Sequence, residues 1–215
     1  MIFKDRVDAA EKLAKKLQSL NIVDPVVLAI PRGGVVTGDI VAKELGTSLD
    51  IIVSRKVGAP DNPELAIGAV MHDGSFFPNN EIIMTLNVPK KYIEQEIAAE
   101  LKEIERRLNK FRGGKDYNLS GRTVILVDDG IATGATMFAT IEWVKSQKPK
   151  RIIVAIPVGP SDTIERLSKV AEVVVLDAPV FFNAVGEFYD VFEQVEDYRV
   201  MEIMSCYGYR PKMVK

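Results

Sequence analysis

The chain has 215 residues, with 28 Lys plus Arg against 30 Asp plus Glu and a formal net charge of −2 when histidine is neutral. Hydrophobic residues make up 47% and charged residues 27%, an ordinary globular composition at a length that suits one elaborated domain or at most two small ones. The near-neutral balance argues against a general nucleic-acid binder, no apolar run approaches the ~18 residues of a membrane span, and the start Met1-Ile2-Phe3-Lys4-Asp5-Arg6 shows no secretory pattern, so a cytoplasmic protein with no nucleic-acid or membrane partner is expected.

Residues 3–20 read as an amphipathic helix, with Phe3, Val7, Ala10, Ala14, Leu17 and Leu20 on one face. Val26-Val27-Leu28-Ala29-Ile30, opened by Pro25 and closed by Pro31, reads as a buried strand. Gly33-Gly34 and a helical pattern to about Leu45 follow, closed by Gly46. Asp50-Ile51-Ile52-Val53 is a second strand, with Arg55 and Lys56 at its carboxyl end. Residues 57–65 are turn-rich and hydrophilic and read as a loop. Ala66 to Met71 and Phe76-Phe77, around Asp73-Gly74, predict a β-hairpin. Residues 89–111 predict a long helix: Pro89 suits its first turn, and Ile93, Ile97, Leu101, Ile104, Leu108 and Phe111 recur at spacings of three and four. Its end carries Arg106, Arg107, Lys110 and Arg112, which complement the helix dipole, and Gly113-Gly114 stop it; the basic end is assigned no function. Strand 123–127, helix 134–147, strand 151–156, helix 161–170 and strand 172–176 then alternate, the pattern of parallel βαβ units. The tail from Asp177 is aromatic-rich and turns helical near 197–205. The predicted fold class is α/β, a doubly wound, mainly parallel sheet with an inserted hairpin and long helix at about 66–115.

The chemistry has few sources. Cys206 is the only cysteine and His72 the only histidine, which leaves little room for a disulfide, a zinc cage or a nucleophilic triad. His72, Cys206 and Trp143 are assigned no role. The most informative segment is VILVDDGIATGAT, residues 124–136, an apolar strand ending in two carboxylates before a small-residue loop that opens a helix. In an open α/β sheet, ligands bind at the carboxyl ends of strands. Gly130 and Gly134 let the backbone curl around a ligand, and the amides of Ile131, Ala132, Thr133, Gly134, Ala135 and Thr136, with the two threonine hydroxyls, suit a phosphate at a helix N-terminus. Asp128 and Asp129 would repel that phosphate and suit hydroxyls or a divalent metal instead. The combination predicts a diol close to a phosphate, as in a ribose 5-phosphate; a plain βα turn with exposed aspartates is the competing reading. AIPRGG, residues 29–34, is a second anion-binding pattern, with Arg32 supplying a fork of donors and Gly33-Gly34 unusual backbone freedom. Arg55 and Lys56 suit a diphosphate, or form a solvated basic pair.

Residues 124–136 resemble the phosphoribosyl pyrophosphate (PRPP) motif of type I phosphoribosyltransferases, and the PRGG, RK-GAP-NPE-AIGAV and VGxFY segments resemble an uncharacterised branch of that family. The resemblance implies that Asp128 and Asp129 contact the ribose hydroxyls and Mg²⁺, and that residues 130–136 hold the 5-phosphate. It also implies that Arg32, Gly33, Gly34, Arg55 and Lys56 bind pyrophosphate, with a non-proline cis peptide at Pro31–Arg32 or Arg32–Gly33. The basic residues are expected to face the acid pair across one cleft. Residues 57–80 resemble the mobile catalytic loop region. Residues 177–192 resemble the hood over the base, in which Phe181 or Phe182 would stack on a heterocycle and Asp190 would approach the metal-bound pyrophosphate; core packing is the competing reading for the aromatics. The implied activity is Mg²⁺-dependent transfer of 5-phosphoribosyl from PRPP to a nitrogen nucleophile with release of pyrophosphate. The alternative is a PRPP-binding sensor without transfer. The whole chain, 1–215, would be one such domain, with a hood from about 177 and a homodimer as the working expectation of assembly. Ala132 stands where enzymes for 6-oxopurines place an Asp, and Ile156-Pro157-Val158 where they place a Lys, which points away from hypoxanthine and guanine.

Overall fold

The computed structural model of the chain describes residues 1–113 and 116–210. In chain order the elements are α1 (Arg6–Gln18), β1 (Pro25–Ala29), α2 (Gly33–Glu44), β2 (Ser48–Ile51), β3 (Ser54–Ala59), β4 (Asn62–Met71), β5 (Phe76–Pro78), α3 (Asn80–Thr85), α4 (Lys90–Phe111), β6 (Thr123–Val127), α5 (Ala135–Ser146), β7 (Arg151–Val158), α6 (Ser161–Ser168), β8 (Glu172–Asp177) and α7 (Asp197–Cys206), with a 3-10 turn at Val185–Phe188.

Five strands form a parallel sheet in the order β2-β1-β6-β7-β8. Side chains alternate between faces along a strand, and in β6 both faces are covered, so every residue of Thr123–Val127 is buried. Ile125 and Val127 meet Leu13 and Leu17 of α1 and Val41 of α2 on one face. Val124 and Leu126 meet Met137, Ile141 and Val144 of α5 on the other. The helices that follow β1 and β6 therefore leave to opposite faces of two neighbouring strands. That opens a crevice at their carboxyl ends, the topological switch point of a doubly wound sheet.

A second sheet, antiparallel and in the order β3-β4-β5, stands outside the parallel one. The segment expected as a loop at 57–65 is mostly strand. Its turn lies at Pro60-Asp61, with Asp61 at φ +64°, and β3 pairs with β4 on either side of register shifts at Val57–Ala59. Pro63 lacks a donor for the ladder, and Gly58 makes room for it: a methyl group on Gly58 would stand 2.8 Å from the Pro63 Cα. Proline, glycine and the irregular register hide the strand from a periodicity argument. The elements inserted between β2 and β6 thus begin at Ser54 and end with α4. In α4 Ile104 and Phe111 are buried, and Gly113 at φ +71° follows its end; Gly114 lies outside the described residues.

Helix α1 starts at Arg6, not at residue 3, because Asp5 caps it by accepting from the Val7 and Asp8 amides. Phe3, freed from the helix, forms a parallel bridge with Tyr189 and is fully buried. Asp50 and Arg112 make a buried two-bonded ion pair, at 2.8 and 2.9 Å, tying the end of α4 to β2. Among the described residues no helix is long and apolar enough to cross a membrane.

Candidate functional site

β6 delivers Asp128-Asp129 to the crevice, and β1, hydrogen-bonded beside it, delivers Pro31-Arg32-Gly33-Gly34. The two turns are in contact. A methyl group on Gly33 would stand 1.8 Å from Asp129 Oδ2, and one on Gly34 would stand 2.9 Å from the Asp128 Cα and Oδ1. The paired glycines are thus required by the carboxylates that pass over them, which is a packing reason in addition to backbone freedom. The Pro31–Arg32 peptide is cis.

The cation that meets the acid pair is Arg6, at the start of α1. Its Nε donates to Asp129 Oδ2 at 2.7 Å, its Nη1 donates to the Glu193 carbonyl at 2.7 Å, and its guanidinium lies 3.9 Å from the centre of the Phe192 ring. Tyr189 donates to the Asp129 carbonyl, and its ring stacks on Phe192 at 4.8 Å. Asp128 Oδ1 accepts from the Asp129 amide. Burial, and then the neighbouring Asp129 charge, push the Asp128 carboxyl well above the usual carboxylate range. Sequence reasoning misses Arg6, and no local signal marks it: it lies 123 residues from its partner on an ordinary amphipathic helix.

The three basic residues expected opposite the acid pair have other ion-pair partners in this structure. Arg55 donates to Glu100 on α4 at 2.6 Å, and Lys56 donates to Glu64 across its own hairpin at 2.7 Å. Both sit inside β3, a separate strand from β2, and neighbours in a strand point to opposite faces, so the two cations diverge. Arg32 is 3.3 Å from Asp197 at the start of α7. Each of the three is ion-paired elsewhere than to Asp128 or Asp129.

The loop after the acids is tightly held. Gly130 is buried, and a methyl group there would stand 2.4 Å from the Val185 side chain of the hood segment. The Ile131 amide donates to the Val158 carbonyl, and Thr163 donates to the Ala132 carbonyl. Gly134 precedes α5 at φ +76°, a conformation that favours glycine. Ala132 and Thr133 are exposed and Ala135 and Thr136 half-buried, and first-turn helical amides have no partner within the helix. Along the outer side of this loop runs a groove of about 930 Å³, lined by Thr133, Phe138 and Glu142 on one wall and by Glu64 and Phe77 on the other.

In the hood segment Phe181 is 92% exposed, whereas Phe182 is already stacked on Phe188 at 5.3 Å. Asp190 is exposed, beside buried Tyr189. Among the described residues no group of three or more Asp, Glu, His or Cys side chains is placed to hold a metal, so Asp190 does not join Asp128 and Asp129 in a cage. Trp143 is buried and donates to Asp73 at 2.9 Å, His72 packs against both Trp143 and Tyr117, which also touch each other, and Cys206 is exposed.

A doubly wound parallel sheet, a switch-point crevice with an acid pair and a glycine-opened helix, and a flanking antiparallel hairpin sheet together define the fold of type I phosphoribosyltransferases. The chain belongs to the phosphoribosyl transferase family: the phosphoribosyl transferase domain model matches residues 2–190. Proteins from two strains of Mycobacterium tuberculosis, both carrying a provisional phosphoribosyl transferase name, are 39% identical over 206 residues; the match covers 95% of this chain and 46% of theirs. The chain thus spans about half the length of these curated relatives. The crystal structure of TT1426 from Thermus thermophilus superposes with a TM-score of 0.82 at 40% identity, over 97% of this chain and 99% of that one. AQ2163 from Aquifex aeolicus, at 10% identity and a TM-score of 0.50 over 80% of this chain and 74% of its own, shares the fold.

Proposed function

We propose that the crevice binds PRPP with Mg²⁺ and transfers its 5-phosphoribosyl group to a nitrogen nucleophile, releasing pyrophosphate. The observation that carries this reading is the direct packing of Gly33-Gly34 on Asp128-Asp129, with a phosphate-type loop following the acids. One crevice then offers a diphosphate turn, a diol-binding acid pair and a 5-phosphate cradle in the order in which PRPP presents those groups. Residues 1–215 act in this reading as one domain.

In the reaction the nucleophile's lone pair forms a bond to C1 of the ribose. The bond from C1 to the pyrophosphate oxygen breaks, and pyrophosphate leaves with its electron pair; the proton on nitrogen passes to solvent. Catalysis is positioning and charge stabilisation. Residues 130–136 anchor the 5-phosphate through first-turn amides of α5 and the Thr133 and Thr136 hydroxyls. Asp128 and Asp129 hold the hydroxyls and balance positive charge on the ring, and Arg32 stands at the pyrophosphate end. Arg55 and Lys56 serve the leaving group only if their present ion pairs break, which ties their role to movement of residues 57–80 over the substrate to exclude water. Phe181, with its ring free, is the base-stacking residue of choice over Phe182.

The donor set fits Mg²⁺ in a limited way. This ion takes one or two carboxylates and completes its shell with water and substrate phosphates, and Asp128 and Asp129 supply the carboxylates. Bound there, it would neutralise charge on the leaving pyrophosphate.

The test is a panel of nucleobases and other nitrogen nucleophiles incubated with protein, PRPP and Mg²⁺, with pyrophosphate release followed and PRPP affinity measured in parallel. Acceptor-dependent release is the expected result. Binding without release for any acceptor would favour the sensor, and no PRPP binding would sink both readings.

A further inference from the structure

The basic end of α4 has no role in the reaction as described so far, and the structure gives one of its residues an unusual partner. Arg106 and Arg107 are both engaged by Glu103 on the same helix, at 2.7 Å each. Lys110, one turn further on, instead reaches Asp197 at the start of α7, at 2.6 Å. The second oxygen of that carboxylate faces Arg32 Nη1 at 3.3 Å. A single carboxylate thus bridges the only side chain of the PRGG turn that carries charge and a lysine from the far end of another helix. The Asp197 carboxyl lies below its usual range despite partial burial, because the Lys110 ammonium and the Arg32 guanidinium hold its charged form.

Two features of this bridge suit an exchangeable anion. Arg32, Lys110 and Asp197 together carry one formal positive charge, and a diphosphate presents more negative charge to the two cations than one carboxylate does. The side chains of Arg32, Lys110 and Asp197 are also 31%, 22% and 27% exposed, so solvent and solutes reach them. Carboxylate and phosphoryl groups present paired oxygens of similar spacing to the same cations, so one can replace the other.

We infer that Lys110 is a second ligand, with Arg32, for the diphosphate of PRPP and for free pyrophosphate, and that Asp197 is an internal carboxylate that competes with that anion for both cations. The inference rests on the PRPP reading of the crevice and deepens it. Binding of the diphosphate displaces Asp197 and so releases the start of α7 from Arg32 and Lys110. Product departure lets Asp197 return.

The experiment measures affinities for inorganic pyrophosphate, PRPP and ribose 5-phosphate by calorimetry with Mg²⁺, in the wild type and in Lys110→Met, Asp197→Asn, Arg32→Met and Lys102→Met. Lys110→Met and Arg32→Met are expected to weaken pyrophosphate and PRPP roughly tenfold or more, the scale of one hydrogen bond to a charged group. Ribose 5-phosphate, which lacks the diphosphate, should be unaffected. Lys102 is exposed on the same helix, so its replacement removes the same charge without the contact and should change little. Asp197→Asn should tighten pyrophosphate binding, a gain that no purely structural role of Asp197 predicts. If Arg32→Met weakens binding while Lys110→Met and Asp197→Asn leave it unchanged, the inference is overturned and the PRPP reading stands. If neither the wild type nor Asp197→Asn binds any of the three ligands, both fall.

Discussion

At the scale of single residues, the acid pair is shaped by contacts that no short window of sequence contains. Gly33 and Gly34 invite the explanation of backbone freedom, and in the structure they are also the floor under Asp129 and Asp128. Arg6 shares a partly buried ion pair with Asp129, with side-chain exposures of 12% and 14%. Arg6→Ala and Asp129→Asn should therefore be non-additive. A double-mutant cycle on unfolding free energy is expected to give a coupling of about 1–3 kcal/mol, and additivity within about 0.5 kcal/mol would mean that the contact contributes nothing. The acids, both glycines and Arg32 are legible in the sequence because each belongs to a motif. Arg6, Lys110 and Asp197 are not, because their significance is a distance between segments far apart in the chain.

At the scale of elements, legibility follows the regularity of the local signal. The strand at 123–127 and the helix after it show an unbroken apolar run and a glycine start, and the structure places them within a residue of the expectation. The hairpin arm at 54–59 escapes a sequence reading because Gly58 and Pro63, facing each other, are loop residues by propensity and strand residues only by packing. The start of α1 is hard to place because Phe3 fits the helical stripe, whereas the Asp5 cap decides where the helix begins. The junction of the loop after the acid pair with α5 depends on Gly134, whose φ of +76° costs a side-chain-bearing residue about 1 kcal/mol, and whose added methyl group would meet the Thr163 side chain at 3.0 Å. Gly134→Ala should lower stability by about 1–2 kcal/mol in denaturant titration and weaken ribose 5-phosphate binding, because both the strain and the displacement fall on the loop. Full stability and full affinity together would show that the turn tolerates a Cβ.

For the molecule as a whole, the question is how the outer sheet is fixed to the parallel one. Its innermost turn presents His72, whose ring lies 4.6 Å from that of Trp143 on α5 and 5.0 Å from that of Tyr117. The His72 Nδ1 is buried without a hydrogen-bond partner. Burial holds the imidazole below its ordinary value of 6.5; among the nearby charges, Asp73 and Asp50 favour the protonated ring and Arg112 opposes it. A histidine with a lowered folded value takes up its proton more readily in the unfolded chain. Its stabilising effect is complete above the unfolded value and is lost as pH falls through the folded one. The thermal midpoint should therefore decline as pH falls below the ordinary imidazole value of 6.5, and His72→Phe should flatten that part of the profile. An unchanged slope in the variant would assign the acid sensitivity elsewhere. The single histidine, which offers no chemistry to the crevice, is in this view part of the mortar between the two sheets.

The contact between residues 3–6 and the hood segment carries a consequence for how the protein is made. Arg6 and Glu193 are 187 positions apart, and the Phe3 bridge to Tyr189 spans nearly as far. On a ribosome the acid pair emerges long before the stretch that closes over it, and pairings between such distant segments form late because the loop they close is long. The nascent crevice is therefore open-topped, with Asp129 lacking Tyr189 and Arg6 lacking its second anchor. The closed form of the crevice arrives with this late strap of chain rather than with the sheet that bears the acids.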